Sequence, residues 1–283
     1  MSGESASAAP RGEASVRAEK KLIPNALGAW PEIAGRLLGQ RVALFLDYDG
    51  TLAAIAPSPE QALLTSEMRS ALVAVARVWP TAIVTGRALD DIEGRVGLPD
   101  LVFAGSHGFD IRGPNQLRLE VSPGSVVTLR EAAGELRWLT RNVPGVLIEE
   151  KRFSVALHYR QVARAALPRL ERTFRAVLRC YPDVCASEGK DVFELRPAVD
   201  WGKGRAVLWL LEALGLAGPD VVPVYIGDDV TDEDAFRAIA RRGLPILVGS
   251  LPWSADAKYA LADVLEVRHF LLRLAALEDR SRK

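Results

Sequence analysis

Cysteine and histidine are scarce in this chain. Its 283 residues include two cysteines, Cys180 and Cys185, and three histidines, His107, His158 and His269. Two thiols cannot build the disulfide framework of a small secreted scaffold. No second cysteine pair exists to complete a zinc site, so both read as ordinary buried thiols. The histidines are far apart, so any metal here is held by oxygen, which favours Mg2+. Net charge is missing too: Lys+Arg and Asp+Glu each number 36. A balanced chain carries no electrostatic footprint for nucleic acid and no membrane-seeking surface, which leaves small molecules as partners. Long apolar runs are also absent. Ala206–Leu211 stops at Glu212, too short to cross a bilayer. Met1–Lys20 is small, polar and mixed in charge, without the apolar segment of a signal peptide. The expectation is a soluble cytoplasmic protein whose residues 1–25 form a disordered tail.

What is present is a core. Hydrophobic residues make up 49%, and apolar β-type runs recur at Val42–Leu46, Thr81–Val84, Leu101–Ala104, Val221–Ile226 and Ile246–Val248. Strands apolar at nearly every position are covered on both faces, as in parallel sheets. Helical patterns fall between them. Met68, Leu72, Val75 and Trp79 share one face; a helix opening near Gly204 carries Val207, Leu208, Leu211 and Leu214 inward; another runs from Asp232 towards Arg241. This alternation predicts an α/β fold with a doubly wound parallel sheet. Between about Gly113 and Pro197 the rhythm changes. Ser125–Arg141 reads as a helix, and Val146–Lys151 and Ser154–Tyr159 as strands joined at Arg152-Phe153. Ala163–Cys180 is helical again, and Val184–Glu188 and Asp191–Glu194 form a hairpin turning at Gly189-Lys190. The expected organisation is a core of residues 26–112 and 198–283, with an α/β cap, 113–197, inserted at the active face.

Four segments carry chemistry. Leu44–Leu52 reads L-F-L-D-Y-D-G-T-L, an apolar run that delivers Asp47 and then Asp49. Open parallel sheets place their sites at the C-terminal ends of their strands. Two carboxylates so close repel unless a cation or a shared proton relieves them, which implies a metal, acid–base chemistry, or both. Glycosyltransferases and solvated turns also show D-x-D; the strand before it and G-T-L after it sharpen the signal. In A-I-V-T-G-R, Ala82–Arg87, Thr85 ends a strand and Gly86 follows. The hydroxyl either donates to a phosphoryl oxygen, with backbone N–H groups helping, or caps the helix starting near Ala88. Arg87 either reaches an anion or lies at the surface. Lys203, in W-G-K-G, opens a helix, where a cation opposes the helix dipole by about 0.3–1 kcal/mol. It either neutralises an anion or bends into solvent. Tyr225–Asp234 holds five acids in seven residues, Asp228 to Asp234. Thr231 and Asp234 fit a capping box, and Asp232 and Glu233 suit a first helical turn. Asp228 and Asp229 remain at the strand tip for metal work. Asp228 is the better ligand because it follows Gly227, and Asp232 reads as outer support.

In this order the segments resemble the haloacid dehalogenase superfamily of phosphotransferases, and within it the trehalose-6-phosphate phosphatases. The closer likeness rests on L-D-Y-D-G-T-L at Leu46–Leu52, G-S-H-G at Gly105–Gly108, and E-E-K-R-F-S-V-A-L-H-Y-R at Glu149–Arg160. F-E-L-R-P at Phe193–Pro197, K-G at Lys203-Gly204 and Y-I-G-D-D-V-T-D-E-D-A-F at Tyr225–Phe236 add to it. It spans Leu44 to Leu274. Thr85 stands where the family often has Ser, which keeps the hydroxyl.

The resemblance implies a Mg2+-dependent phosphatase with a Rossmann-like core and a cap. Asp47 would be the nucleophile and form an aspartyl-phosphate, and Asp49 the acid and base. Thr85 and Lys203 would hold phosphoryl oxygens. Asp47, the Asp49 backbone carbonyl and Asp228 would hold the metal, with Asp229 and Asp232 behind them. Substrate contacts would come from Gly86, Arg87, His107, Glu149, Lys151, Arg160 and Glu194, with Glu149, Lys151 and Glu194 on the distal glucose. A trehalose-6-phosphate synthase would supply the substrate. On strands, Glu149 and Lys151 share a face, as do His158 and Arg160, and Glu194 and Arg196. Such a face suits sugar hydroxyls, or is a solvated face with cross-strand ion pairs. His107 either lines the cleft or is a turn histidine; His269 reads as structural. The competing readings are a phosphatase of sucrose phosphate or mannosylglycerate phosphate, an inactive sugar-phosphate sensor, and a metal-dependent glycosyltransferase.

Overall fold

The structure, a computed structural model, describes residues 23–189, 191–249 and 256–277. Most of the expected tail lies outside the described residues. Asn25, at its end, forms a bridge with Ala260 and accepts from the backbone N–H groups of Leu27 and Gly28 at 2.9 and 3.0 Å.

The first half of the core alternates helix and strand: α1 (Trp30–Leu37), β1 (Arg41–Leu46), α2 (Ser66–Ala76), β2 (Thr81–Val84), α3 (Leu89–Val96) and β3 (Val102–Gly105). A short antiparallel hairpin follows, β4 (Asp110–Arg112) and β5 (Arg118–Glu120). The expected boundary at Gly113 falls inside this hairpin, because β4 pairs with β3 and β5 continues the same sheet. Next come α4 (Ser125–Thr140), β6 (Leu147–Lys151), β7 (Ser154–His158), α5 (Leu167–Cys180), β8 (Val184–Gly189) and β9 (Val192–Pro197). The chain then returns through α6 (Lys203–Ala213), β10 (Val221–Gly227), α7 (Glu233–Ile239), β11 (Leu244–Val248), β12 (Tyr259–Leu261) and α8 (Val264–Ala275).

The large sheet runs β12-β11-β10-β1-β2-β3-β4-β5, parallel from β12 to β3. Strand alternation sends Val42, Leu44 and Leu46 of β1 to one side, where α1, α2, α3 and α8 pack. Ala43 and Phe45 point to the other, against α6 and α7. Both faces are therefore covered, and the strands can be apolar throughout. Each such Leu or Phe contributes roughly 1.5–3 kcal/mol by burial. Trp79, expected on the face of α2, lies past that helix's end. It is buried, and its Nε1 donates to the Leu274 carbonyl at 3.0 Å.

The second sheet, β6-β7-β9-β8, is antiparallel. Val155 and Leu157 of β7 and Leu195 of β9 face α4 and α5. The alternate residues, Glu149, Lys151, His158 and Glu194, lie on the open face. The β8–β9 turn is one residue later than expected: Gly189 pairs with Val192, and Asp191 takes the positive φ of 62° that aspartate tolerates. Lys190 lies outside the described residues. Among the described residues no helix is long and apolar enough to cross a membrane.

Candidate active site

Adjacent parallel strands bring the acids together. Leu46 of β1 is in register with Ile226 of β10, so the residues just beyond, Asp47 and Asp228, emerge at the same sheet edge. The Asp47 N–H continues the ladder to the Ile226 carbonyl at 2.9 Å. Oxygens of Asp47, Asp228 and Asp232 lie within 4.8 Å of one another. Lys203, the first residue of α6, enters from the helical layer that α6 shares with α7. Its Nζ donates to Asp47 Oδ1 and Asp232 Oδ1, each at 2.7 Å, and all three side chains are buried. Asp232 Oδ1 also accepts from the buried Tyr225 hydroxyl at 2.6 Å, and its Oδ2 accepts from the Asp229 N–H at 3.0 Å. The expected capping box is displaced: Asp229 is the N-cap and Asp232 its partner. Asp234 instead accepts from the Gly204 N–H at 3.0 Å, tying α7 to the start of α6.

Three carboxylates thus face one ammonium. Burial pushes the Asp47 carboxyl well above the usual range; Lys203 opposes this, and Asp232 and Asp228 add to it. Burial, then Asp232 and Asp229, raise Asp228 to about 7. Burial works against the charge on Lys203, yet Asp232 and Asp47 hold it protonated, well above its ordinary value. A surplus of buried negative charge needs a further cation. The donor set is all oxygen, as Mg2+ requires. The backbone leaves room for these donors: a Cβ on Gly50, at φ 80°, would sit 1.9 Å from Asp228 Oδ2. The residues present therefore fit a divalent cation.

Asp49 does not join this trio. Both its oxygens accept from Arg87, Oδ2 from Nε at 2.7 Å and Oδ1 from the terminal nitrogen at 2.6 Å. Arg87 also bonds Asp91 at 2.9 Å and sits over the Tyr48 ring. Asp91 in turn accepts from Arg95. Sequence reading missed Asp91, although an acid in the first turn of the helix that opens just after Arg87 was a usable signal. It missed the Tyr225 hydroxyl as well; a buried Tyr demands a partner.

Thr85 is buried. Its hydroxyl accepts from the Arg87 N–H at 3.2 Å, while α3 is capped at Ala88 without any side-chain bond. The Ser106-His107 turn, with φ 50° and 57°, locks onto this segment: Ser106 N–H donates to Arg87 O and His107 N–H to Thr85 O. Gly86 makes space for the His107 ring, which a Cβ would meet at 2.8 Å. Burial, then Lys203 and Arg196, lower His107 to about 3.

These residues line one cleft of about 770 Å³. Asp47, Asp49, Thr85, Gly86, Arg87, His107, Lys203, Asp228 and Asp229 form the core side, and Glu149 and Lys151 reach it from the cap. Glu149 pairs with Lys151 at 3.5 Å and with His158 at 3.1 Å. Two residues expected to contact substrate are not on its wall. Arg160 is exposed and pairs with Asp191 at 3.4 Å. Glu194 lies on the same open face, level with Glu149 across β7, and accepts from Ser187 at 3.2 Å.

The family model described as trehalose-phosphatase matches residues 45–265. The chain belongs to the trehalose-phosphatase family. The matched span contains every site residue described above. Among relatives, a probable trehalose-phosphate phosphatase 4 of Oryza sativa subsp. japonica is 42% identical over 265 residues, 91% of this chain and 72% of that one. Trehalose-phosphate phosphatase B of Arabidopsis thaliana is 39% identical, covering 89% and 72%. A crystal structure of a trehalose-6-phosphate phosphatase related protein is 28% identical with TM-score 0.69, covering 86% of this chain and all of that one. A haloacid dehalogenase-like hydrolase from Bacteroides thetaiotaomicron, 15% identical with TM-score 0.59 over 83% and 99%, shares the fold. The trehalose-phosphatase family is one of phosphoric monoester hydrolases with this mixed α/β fold.

Proposed function

We propose that the protein hydrolyses trehalose 6-phosphate to trehalose and phosphate through an aspartyl-phosphate on Asp47. The observation that carries this reading is the buried Asp47, held by Lys203 beside Asp228, in a cleft that extends to Glu149 and Lys151. Phosphate monoesters are inert without strong charge stabilisation. Asp47, the Asp49 backbone carbonyl and Asp228 would hold Mg2+, which when bound supplies Lewis-acid neutralisation of phosphoryl charge. Asp47 attacks phosphorus and displaces the sugar 6-oxygen. Lys203 and the Thr85 hydroxyl hold phosphoryl oxygens. Asp49, once protonated, gives its proton to the departing oxygen; it then takes one from the water that attacks the aspartyl-phosphate, which breaks the Asp47–phosphorus bond and releases phosphate. For this, Asp49 has to leave the pair of hydrogen bonds it accepts from Arg87, and an arriving phosphoryl group offers Arg87 a replacement anion. Asp229 and Asp232 position Asp228 and Lys203. His107, kept neutral, lines the cleft.

Glu149 and Lys151 are assigned to the sugar, with Glu194 and Arg160 further along the cap. Free thiols at Cys180 and Cys185 suit a reducing compartment. The reading places the reaction in the cytoplasm, with a trehalose-6-phosphate synthase supplying substrate. Phosphate release from trehalose 6-phosphate, sucrose 6-phosphate, mannosylglycerate phosphate and p-nitrophenyl phosphate tests it. Trehalose 6-phosphate is expected to be turned over best. Glu149→Ala is expected to lower kcat/KM for it roughly 10-fold or more while changing that for p-nitrophenyl phosphate about twofold at most. Equal losses on both would remove the cap from sugar recognition.

A further inference from the structure

The two-residue turn between β6 and β7 docks on the core. Asp110 of β4 and Glu120 of β5 stand directly opposite each other across the hairpin. Like charges so placed repel, and the Asp110 side chain is only 5% exposed. One cap residue bridges them: Arg152 donates to Asp110 Oδ2 at 2.8 Å and to Glu120 Oε2 at 2.7 Å. Arg118 also bonds Glu120 from within the core. Next to Arg152, the buried Phe153 stacks on Phe109, ring centroids 5.8 Å apart, with the Arg152 guanidinium over its own neighbour's ring. A core carboxylate pair and a core aromatic thus form a receptor for the hairpin tip.

The tip adjoins the cleft residues on both sides. Lys151 immediately precedes Arg152, and Glu149 lies two residues further back on β6; both line the cleft. On the core, Phe109 follows the turn that carries His107 into that cleft. We infer that Arg152 is a positioning residue for sugar selectivity: by clamping the β6–β7 tip to Asp110 and Glu120 it sets how far Glu149 and Lys151 reach over the phosphoryl site. It does so without lining the cleft itself. This rests on the assignment of Glu149 and Lys151 to the sugar.

The test compares trehalose 6-phosphate with p-nitrophenyl phosphate. Arg152→Ala leaves two opposed carboxylates, one buried, and can weaken the core. Arg152→Ala/Asp110→Asn removes that repulsion and keeps the tip unclamped. For the double variant, KM for trehalose 6-phosphate is expected to rise about fivefold or more, with kcat/KM for p-nitrophenyl phosphate within about twofold of the parent. Arg152→Lys keeps a cation without the fork and is expected to fall between. Parallel losses on both substrates, or an unchanged KM for the sugar phosphate, overturn the inference. Glu149→Ala separates the two levels. If it loses sugar selectivity and the double variant does not, the clamp falls and the cleft assignment stands. If neither loses it, the cleft assignment falls and the clamp with it.

Discussion

Asp47 is strained by its surroundings and needed by the chemistry. Its carboxyl is pushed up by burial and by Asp232 and Asp228, with Lys203 pulling the other way. Asp47→Asn removes a buried charge while keeping the shape. Turnover is expected to fall by roughly 10³-fold or more, while the thermal midpoint holds or rises, a trade common at active sites. Phosphate release and a melting curve on the same sample check both halves. His107 makes the opposite kind of demand. Its pKa in the fold is about 3, below the roughly 6.5 of an unfolded chain. Between these values the unfolded state binds the extra proton, so stability is lost as pH falls through 6.5. The loss reaches roughly 2 kcal/mol by pH 5. His107→Asn, which tolerates the positive φ, is expected to flatten that slope by about half a proton at pH 6.5, rising to about one at pH 5, in urea titrations. The meeting of Asp47, Lys203 and Asp228 was legible because each follows a strand or opens a helix. The bond of Asp49 to Arg87 was not, because partners 38 residues apart leave no spacing to read; that of Tyr225 to Asp232 spans only seven residues, but it depends on how the chain turns between β10 and α7.

At the scale of elements, legibility followed burial. The central strands β1, β2, β10 and β11 are apolar at nearly every position and were found within a few residues. The β4–β5 hairpin has three-residue strands rich in charge, and its pairing comes from the sheet edge beside it rather than from its own pattern. The placement of Lys203 depends on how closely α6 and α7 pack. A Cβ on Gly204 would stand 2.5 Å from the Asp234 carbonyl oxygen, whereas one on Gly134, exposed in α4, meets nothing within 4 Å. Gly204→Ala is expected to cost about 1–3 kcal/mol by overpacking and to lower turnover by shifting Lys203. Gly134→Ala is expected to gain about 0.5–1 kcal/mol from helix propensity with turnover unchanged. Chemical denaturation of the pair distinguishes close packing at the site from a general intolerance of substitution.

Across the whole molecule, the sheet joins two halves of the chain that the cap separates in sequence. Asp47 comes from the first half, and Lys203, Asp228 and Asp232 from the second, so the three-carboxylate cluster is complete only when both halves have folded together. A cation bound there links the halves and stabilises the native state by mass action. Without it, Asp228 binds its proton up to about pH 7, well above an unfolded aspartate near 3.9. A carboxyl with a raised folded pKa contributes stability at low pH and loses it as pH rises through that window. Protons and Mg2+ therefore compete for the same oxygen. Adding Mg2+ is expected to raise the thermal midpoint more at pH 8 than at pH 5.5, and EDTA to reverse the rise and stop phosphate release. Asp228→Asn is expected to remove most of both the Mg2+ response and its pH dependence. Differential scanning fluorimetry across Mg2+ concentrations at the two pH values measures this, and a midpoint indifferent to Mg2+ at both would contradict a cation site formed by Asp47 and Asp228.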